Sequence, residues 1–512
     1  MTDVDGNRDS ELNLWRCAGL ASPECSPFDL RDFAMSMPIR GLVFFLCLTG
    51  IAIAQKEAGS DALKTEAEVA YQNGDFPRCI EITDRLLMGN PTDHGALYLR
   101  AVSHVEVGVF RRNAQELRKG IEDARASLKL SESLKLNEVN YYVPYLHGMT
   151  ALANLEGRKE SAESVIKVAT SLLERKTLTS EQRANVLYQR AGAFVHLRDL
   201  EAAIQDYQAA IQSFPGHLGS HVGLAEVYVV RQQTEKALAA FSVAVETFSG
   251  NPLVFNNRGL FLQQKNRLNE AMVDFDKALQ LDPQFAVAYT NRGVTQQAAG
   301  NLLAAEVDFT EAIKLDSANP VFLLLRGNCR LSRGNAAGAI DDYGQSIRID
   351  PRNSVAFGDL GFAKFFSGDF AGSLEAFNQA IALDASIRYL NPWRCWVSVL
   401  LKNSDEQLAL VKTLDKKPAA DRDWNDQLVL FLIGKNSEQD LVNSVVKATD
   451  SNSSLRDPQL CEAYYFIAKR RSDAGDNTNA IAFYQQALKM KCVHLSAYRG
   501  AQFALKSFPT AP

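Results

Sequence analysis

The chain has 512 residues, of which 46% are apolar and 22% charged, and its formal net charge is −5. This length allows more than one domain, and the apolar content is enough to bury a core. The acidic balance argues against a general nucleic-acid binder, which needs basic residues to neutralise phosphates. Eight cysteines are too few for a disulfide-dense scaffold.

An apolar run from Gly41 to Ala54 lies near the N-terminus. Arg40 precedes it and small residues end it, which is the pattern of a secretory signal peptide. As a helix the run would span about 21 Å, which is short of the roughly 30 Å hydrocarbon core of a bilayer. We therefore predict a leader over residues 1–54, with the signal peptide at about 35–54, and export to the periplasm or the extracellular space. A membrane anchor formed by residues 41–54 is the alternative.

Two methionines, Met35 and Met37, lie directly before the apolar run. A signal peptide normally begins close to the start of its chain. We therefore interpret the stretch upstream of these methionines as a mis-assigned start.

Residues 55–183 keep a helical periodicity. Gly74-Asp75 marks a turn between two helices, Cys79 follows it as a small residue, and Pro91 marks the end of the pair. This pattern predicts helical hairpins of irregular length.

A 34-residue period governs the centre of the chain. Aromatic residues recur at that spacing: Tyr207, Phe241, Phe275, Phe309, Tyr343 and Phe377. Small residues stand four positions before and three positions after each of them, on the same helix face. A further alanine or glycine lies sixteen positions before each ring, and the pairs Gly300-Asn301, Gly334-Asn335 and Gly368-Asp369 fit a helix end followed by an N-cap.

These positions resemble the tetratricopeptide-repeat (TPR) family, with six contiguous units over 184–387. The resemblance implies an all-α fold, a right-handed superhelical solenoid of TPR helix hairpins. It also implies divergent TPR-like repeats over 55–183 and a last TPR unit with a capping helix over 461–512.

Region 388–460 departs from the repeat and is predicted to be a non-consensus helical insert. It opens with a helix at Asn391-Pro392 that contains Trp393 and Trp396. The chain from this insert onwards resembles bacterial cell-envelope TPR lipoproteins, although the leader has no lipid-attachment cysteine.

By resemblance to the family, certain positions of each first helix line a peptide-binding groove. In this chain the candidate groove residues are Asn256, Leu260, Gln263, Gln264, Thr290, Gln297, Asn328, Phe362, Phe365 and Phe366. Amides can hydrogen-bond a peptide backbone, and exposed rings provide contact area. The three phenylalanines could instead pack on the helices that follow them.

No catalytic, phosphate-binding or zinc-protease motif is present in the sequence. We therefore predict that the protein is not an enzyme and has no cofactor or metal site. His217 and His221 have the i, i+4 spacing of metal ligands, but glycines interrupt that stretch, which favours a solvated pair. Cys461 and Cys492 open and close the last helix pair, so they form either a disulfide or two small buried residues.

The sequence as a whole predicts an exported, non-catalytic scaffold or adaptor that binds other proteins or peptides, envelope proteins among them, and no nucleic acid. The alternative is a membrane-anchored envelope assembly or accessory factor. In either case the membrane is reached only through an uncleaved leader, and the oligomeric state stays open.

Overall fold

The computed structural model describes residues 58–134, 136, 139–449, 456–492 and 496–508. The predicted leader lies outside these residues. Within them the secondary structure is helical and contains no strand. The chain divides into two compact units, one ending at Arg258 and one beginning at Gly259.

The first unit consists of paired helices joined by short turns, and successive helices pack against each other. Its helices are α1 (Ala58–Gln72), α2 (Phe76–Gly89), α3 (His94–Phe110), α4 (Ala114–Ser133), α5 (Tyr142–Glu156), α6 (Lys159–Leu173), α7 (Ser180–His196), α8 (Leu200–Ser213), α9 (Leu218–Val230) and α10 (Thr234–Thr247). Helix α11 (Pro252–Gln264) contains the boundary between the units.

The second unit continues with the same pairing of successive helices. Its repeat helices are α12 (Leu268–Leu281), α13 (Ala286–Ala298), α14 (Leu302–Leu315), α15 (Pro320–Ser332), α16 (Ala336–Ile349), α17 (Ser354–Ser367) and α18 (Phe370–Leu383). The remaining helices are α19 (Asn391–Leu400), α20 (Ser404–Asp415), α21 (Trp424–Leu432), α22 (Glu438–Thr449), α23 (Arg456–Asp473), α24 (Asn477–Lys489) and α25 (Ser496–Ser507). Single-turn 3-10 helices lie at Val139–Tyr141, Arg388–Leu390 and Ala419–Asp421. The structure therefore confirms the predicted fold class, an all-α stack of helix hairpins.

The 34-residue period reflects a contact between each small residue and the ring sixteen positions later. A Cβ atom added at Gly327 would lie 2.6 Å from the Tyr343 ring, and one added at Gly361 would lie 2.5 Å from the Phe377 ring. Both rings are fully buried. At these two hairpins the first helix therefore needs glycine so that the ring of the second helix can approach, whereas the first two repeats carry Ala191 and Ala225 at this position.

The turns between paired helices use the predicted glycines in a left-handed conformation, with φ of 84° at Gly300, 90° at Gly334 and 88° at Gly368. The residues that follow behave unequally. Asn335 and Asp369 each accept a backbone N–H bond of 2.9 Å at the start of α16 and α18. Asn301 accepts no such bond, so the predicted N-cap is absent at α14.

The predicted insert contains α19 to α22. Helix α19 begins at Asn391-Pro392, and its Trp393 and Trp396 are buried. These rings belong to an apolar cluster that also includes Phe365, Phe431 and Phe466. The insert therefore closes a large core between the sixth repeat and the last one.

No helix of the described part of the chain is both long enough and apolar enough to span a bilayer. The apolar run at residues 41–54 falls outside this part.

Candidate functional site

The ten candidate groove residues separate into two sets by burial. Gln263, Gln264, Thr290, Gln297 and Phe366 are half-buried, so solvent still reaches them. The others are buried: Asn256, Leu260, Asn328, Phe362 and Phe365. The polar members of the half-buried set, Gln263, Gln264, Thr290 and Gln297, are the candidates open to a ligand in this structure.

Two of the four half-buried polar candidates, Gln263 and Thr290, already form side-chain hydrogen bonds with other residues of the chain. The Gln263 side-chain amide donates to the Thr295 hydroxyl over 2.9 Å, and the Thr290 hydroxyl donates to the Ala286 carbonyl over 3.0 Å. The amides of Gln264 and Gln297 have no hydrogen-bond partner among the described residues. They lie at the ends of α11 and α13, the first helices of adjacent repeats. These two amides are the free polar groups of the candidate site.

The three phenylalanines of α17 correct the expectation of an open aromatic stripe. Phe362 and Phe365 are 3% and 6% exposed, and their rings lie 5.1 and 5.4 Å from the Trp393 ring. Phe366 is half-buried and stacks on Phe503 with a centroid distance of 5.0 Å. The insert and the C-terminal helix thus cover this stripe. Phe362 and Phe365 pack on later helices, which was the alternative to a role in the groove.

Asn256 and Asn328 are likewise committed to the interior. Asn328 accepts a hydrogen bond from the Tyr343 hydroxyl over 3.0 Å and donates to Asp359 over 3.3 Å. Asn256 donates to the Asn257 side chain over 3.4 Å and is fully buried. Neither amide is available to a peptide in this structure.

Sequence reasoning missed a recurrent pair of charges that joins the two helices of a hairpin. An arginine on the first helix donates two hydrogen bonds to an aspartate sixteen residues later, at distances of 2.7 to 3.1 Å. The pairs are Arg190–Asp206, Arg292–Asp308 and Arg326–Asp342. Two-point contacts of this kind fix orientation as well as charge.

The 34-residue repeat contained a sequence signal for these pairs, because the arginine and the aspartate occur together or are replaced together. Two repeats carry leucine instead of the arginine, at Leu224 and Leu360, and there the aspartate is replaced by Ala240 and Ala376. Burial raises the pKa of Asp342 although Arg326 and Arg330 oppose that effect. The hydrogen bonds to Asp276 and Asp308 raise the pKa of Arg292. These charges are paired with each other within a hairpin or with the neighbouring one, and they are not available to a ligand.

His217 and His221 are buried, which corrects the prediction of a solvated pair. His217 lies directly before α9 and its Nδ1 accepts the backbone N–H of Ser220 over 3.1 Å, while Nε2 contacts the Asn185 side chain at 2.9 Å. His221 contacts the Pro215 carbonyl at 2.9 Å. Within the described ranges, no group of three His, Cys, Asp or Glu residues is placed to hold a metal ion.

Cys461 and Cys492 are buried thiols, and they lie close enough to hydrogen-bond each other. The contact with Cys492, together with burial, raises the pKa of the Cys461 thiol. The two ends of the last helix pair therefore lie close together, and in this structure Cys461 and Cys492 are two small buried residues with free thiols, the second of the two alternatives.

Family models for the tetratricopeptide repeat match residues 195–256, 252–285, 290–354 and 462–491. The chain is a tetratricopeptide-repeat protein. Repeats of this family are typically non-catalytic and mediate protein–protein interaction. No curated protein matches the chain.

Solved structures that resemble parts of the chain are also TPR proteins. They include PilF of Pseudomonas aeruginosa, with 19% identity, coverage of 40% of this chain and 94% of that one, and a TM-score of 0.36. MamA of Desulfovibrio magneticus has 18% identity, coverage of 33% and 96%, and a TM-score of 0.31. YrrB, described as a TPR protein with an unusual peptide-binding site, has 20% identity, coverage of 37% and 96%, and a TM-score of 0.30.

Proposed function

We propose that the protein is an exported, non-catalytic scaffold that binds a segment of another protein across the first helices of its repeats. One observation carries this proposal: the half-buried amides of Gln264 and Gln297 have no partner among the described residues. They belong to adjacent repeats, so a single bound segment can reach both.

The chemistry of these amides favours a peptide backbone as ligand. Each amide offers two N–H donors and a carbonyl acceptor, which complement the carbonyl and N–H groups of a peptide. The neighbouring Gln263 and Thr290 are uncharged, and the nearby Arg292 is paired with Asp276 and Asp308. Recognition therefore rests on hydrogen bonds and shape, with no charged clamp for an acidic terminus.

A matched pair of variants tests this function. The mature chain is used for affinity capture from an envelope extract, together with the double variant Gln264→Ala/Gln297→Ala. The control is Gln280→Ala, which removes an exposed amide from the second helix α12. We expect the proteins retained by the wild type to be retained by the control and lost with the double variant. Equal retention by all three chains would remove the assigned role of these amides.

Export is proposed from the pattern at residues 41–54 and is tested separately. N-terminal sequencing of the secreted chain is expected to begin shortly after Ala54. A chain that keeps residues 41–54 and sediments with membranes would instead support the second candidate, a membrane-anchored envelope assembly or accessory factor. A chain that retains Asp3 would refute a start at Met35 or Met37.

A further inference from the structure

The C-terminal helix α25 packs back on repeats that lie far upstream in the chain. Its Phe503 ring stacks on Phe366 of α17, with an interplanar angle of 21°. The same ring lies 3.6 Å from the position of a Cβ atom at Gly334, in the turn between α15 and α16. Phe503 also belongs to the apolar cluster of Leu324 and Leu331. Helix α25 thus covers first helices α15 and α17, where the family places its ligand groove.

A charge on α25 faces the same surface. The positive charge of Arg499, one helical turn before Phe503, acts on Asp359 of α17. Asp359 accepts a hydrogen bond from Asn328, and burial raises its pKa to about 6. Arg499 forms no ion pair with it, and the Arg499 Nε atom is buried without a hydrogen-bond partner in the described residues. The charge of Arg499 on α25 is therefore near Asp359 of α17, but no hydrogen bond or ion pair joins the two side chains.

The opposite face of α25 closes the last repeat. Ala497 and Ala501 are buried, and a Cβ atom added at Gly500 would lie 2.5 Å from the Tyr465 ring of α23. One face of the helix therefore packs tightly on the last repeat. The other face, with Arg499 and Phe503, is half-buried.

We propose that α25 is an internal ligand of the groove formed by α15 and α17, and that a partner helix of matching chemistry displaces its Arg499–Phe503 face. This inference rests on the proposed binding function and adds a regulatory element to it. The partner is an amphipathic helix with an aromatic residue four positions after an arginine. The aromatic residue takes the place of Phe503 on Phe366, and the arginine reaches Asp359.

Two features make the internal ligand displaceable. An unsatisfied buried Arg499 Nε weakens the resident contact, because a buried donor without a partner loses its hydration and gains no bond. A competing arginine that forms a two-point contact with Asp359 has an advantage that Arg499 lacks. Occupancy of the groove by α25 reduces the apparent affinity for any external helix to its intrinsic affinity multiplied by the fraction of chains in which the groove is open.

The test uses the full chain and a labelled synthetic peptide of residues 496–508 as the probe. Fluorescence anisotropy compares the wild type with Phe503→Ala, which removes the stacking ring, and with Gln502→Ala, which removes an exposed side chain of the same helix. We expect the peptide to bind Phe503→Ala about tenfold more tightly than the wild type, since the groove is vacated more often. The Gln502→Ala chain is expected to match the wild type. Equal affinity for all three chains would overturn the inference.

A photocrosslinking experiment keeps the inference testable if Phe503→Ala fails to fold. A benzoylphenylalanine in place of Phe366 is expected to crosslink to residues 496–508 of its own chain, and excess unlabelled peptide is expected to compete with that product. Crosslinks that never reach α25, or that saturating peptide leaves unchanged, would overturn the proposal. Failure of the Gln264/Gln297 capture would count against the proposed function and would leave both of these readouts as they are.

Discussion

The buried His217 imidazole contributes to the fold in its neutral form. Its Nδ1 accepts the N–H of Ser220, so that nitrogen carries no proton, and Nε2 is left to donate to Asn185. Burial, with a smaller effect of His221, lowers the pKa of His217 to about 4. In the unfolded chain the pKa returns to about 6.5.

We therefore expect an acid-sensitive contribution from His217. Its folded pKa lies below its unfolded pKa, so this contribution is present above pH 6.5 and is lost as the pH falls towards 4. Between pH 7 and pH 5 the loss is about 2 kcal/mol in the free energy of unfolding. The variant His217→Asn keeps an N-cap acceptor but does not titrate. Urea unfolding at both pH values should show a smaller pH dependence for this variant, and identical dependence in the two chains would contradict the assignment.

At the scale of helices, the hairpins are held by glycines that touch rings and by arginine–aspartate pairs. Gly361 and Gly344 differ in the space around them, so a side chain is excluded by packing at one position and tolerated at the other. A Cβ atom at Gly361 would overlap the buried Phe377 ring, whereas at Gly344 the nearest atom is 3.9 Å away, at the end of Arg348. Only the first glycine is required by packing.

The substitution Gly361→Ala should lower the stability of the second unit by about 1–2 kcal/mol, because overpacking outweighs the better helix propensity of alanine. Gly344→Ala is the matched control. It should raise stability by about 0.5–1 kcal/mol through helix propensity alone. Urea midpoints followed by circular dichroism measure both effects. A stabilising Gly361→Ala would show that the helices of this hairpin are not in close contact.

The 34-residue period predicts contacts between residues of the same repeat. It does not predict contacts between a repeat and the insert or the C-terminal helix. Gly361 and Phe377 are sixteen residues apart and recur, so their contact could be predicted. Phe365 is covered by Trp393 of the non-repeat insert, and Phe366 by Phe503 at the end of the chain. No periodicity links those positions, so the sequence left open whether these rings are core or groove.

At the scale of the whole molecule, the redox state of the Cys461–Cys492 pair depends on the compartment in which the chain folds. The two thiols are close and buried, whereas Cys79, Cys329 and Cys395 are the other free thiols of the described chain. Buried thiols form and keep a disulfide only where the environment is oxidising.

We expect the exported chain to contain a Cys461–Cys492 disulfide and the same chain made in a reducing cytosol to contain none. Alkylation of the denatured protein, followed by peptide mass mapping, measures this. In the exported form Cys461 and Cys492 should be protected until a reductant is added, and the other three cysteines should be alkylated throughout. Full alkylation of both residues without reductant would contradict either the pairing or the export.

The proposed scaffold function depends on a docking surface at the first helices of the central repeats. The most direct measurement places a photoreactive benzoylphenylalanine at Gln297 of the full chain in the cells that produce it, with the same group at Gln280 on the second helix α12 as the comparison. If these first helices form the docking surface, crosslinks to a discrete partner are expected from position 297 and none from position 280. Crosslinks of equal yield and identity from both positions, or none from position 297, would contradict it.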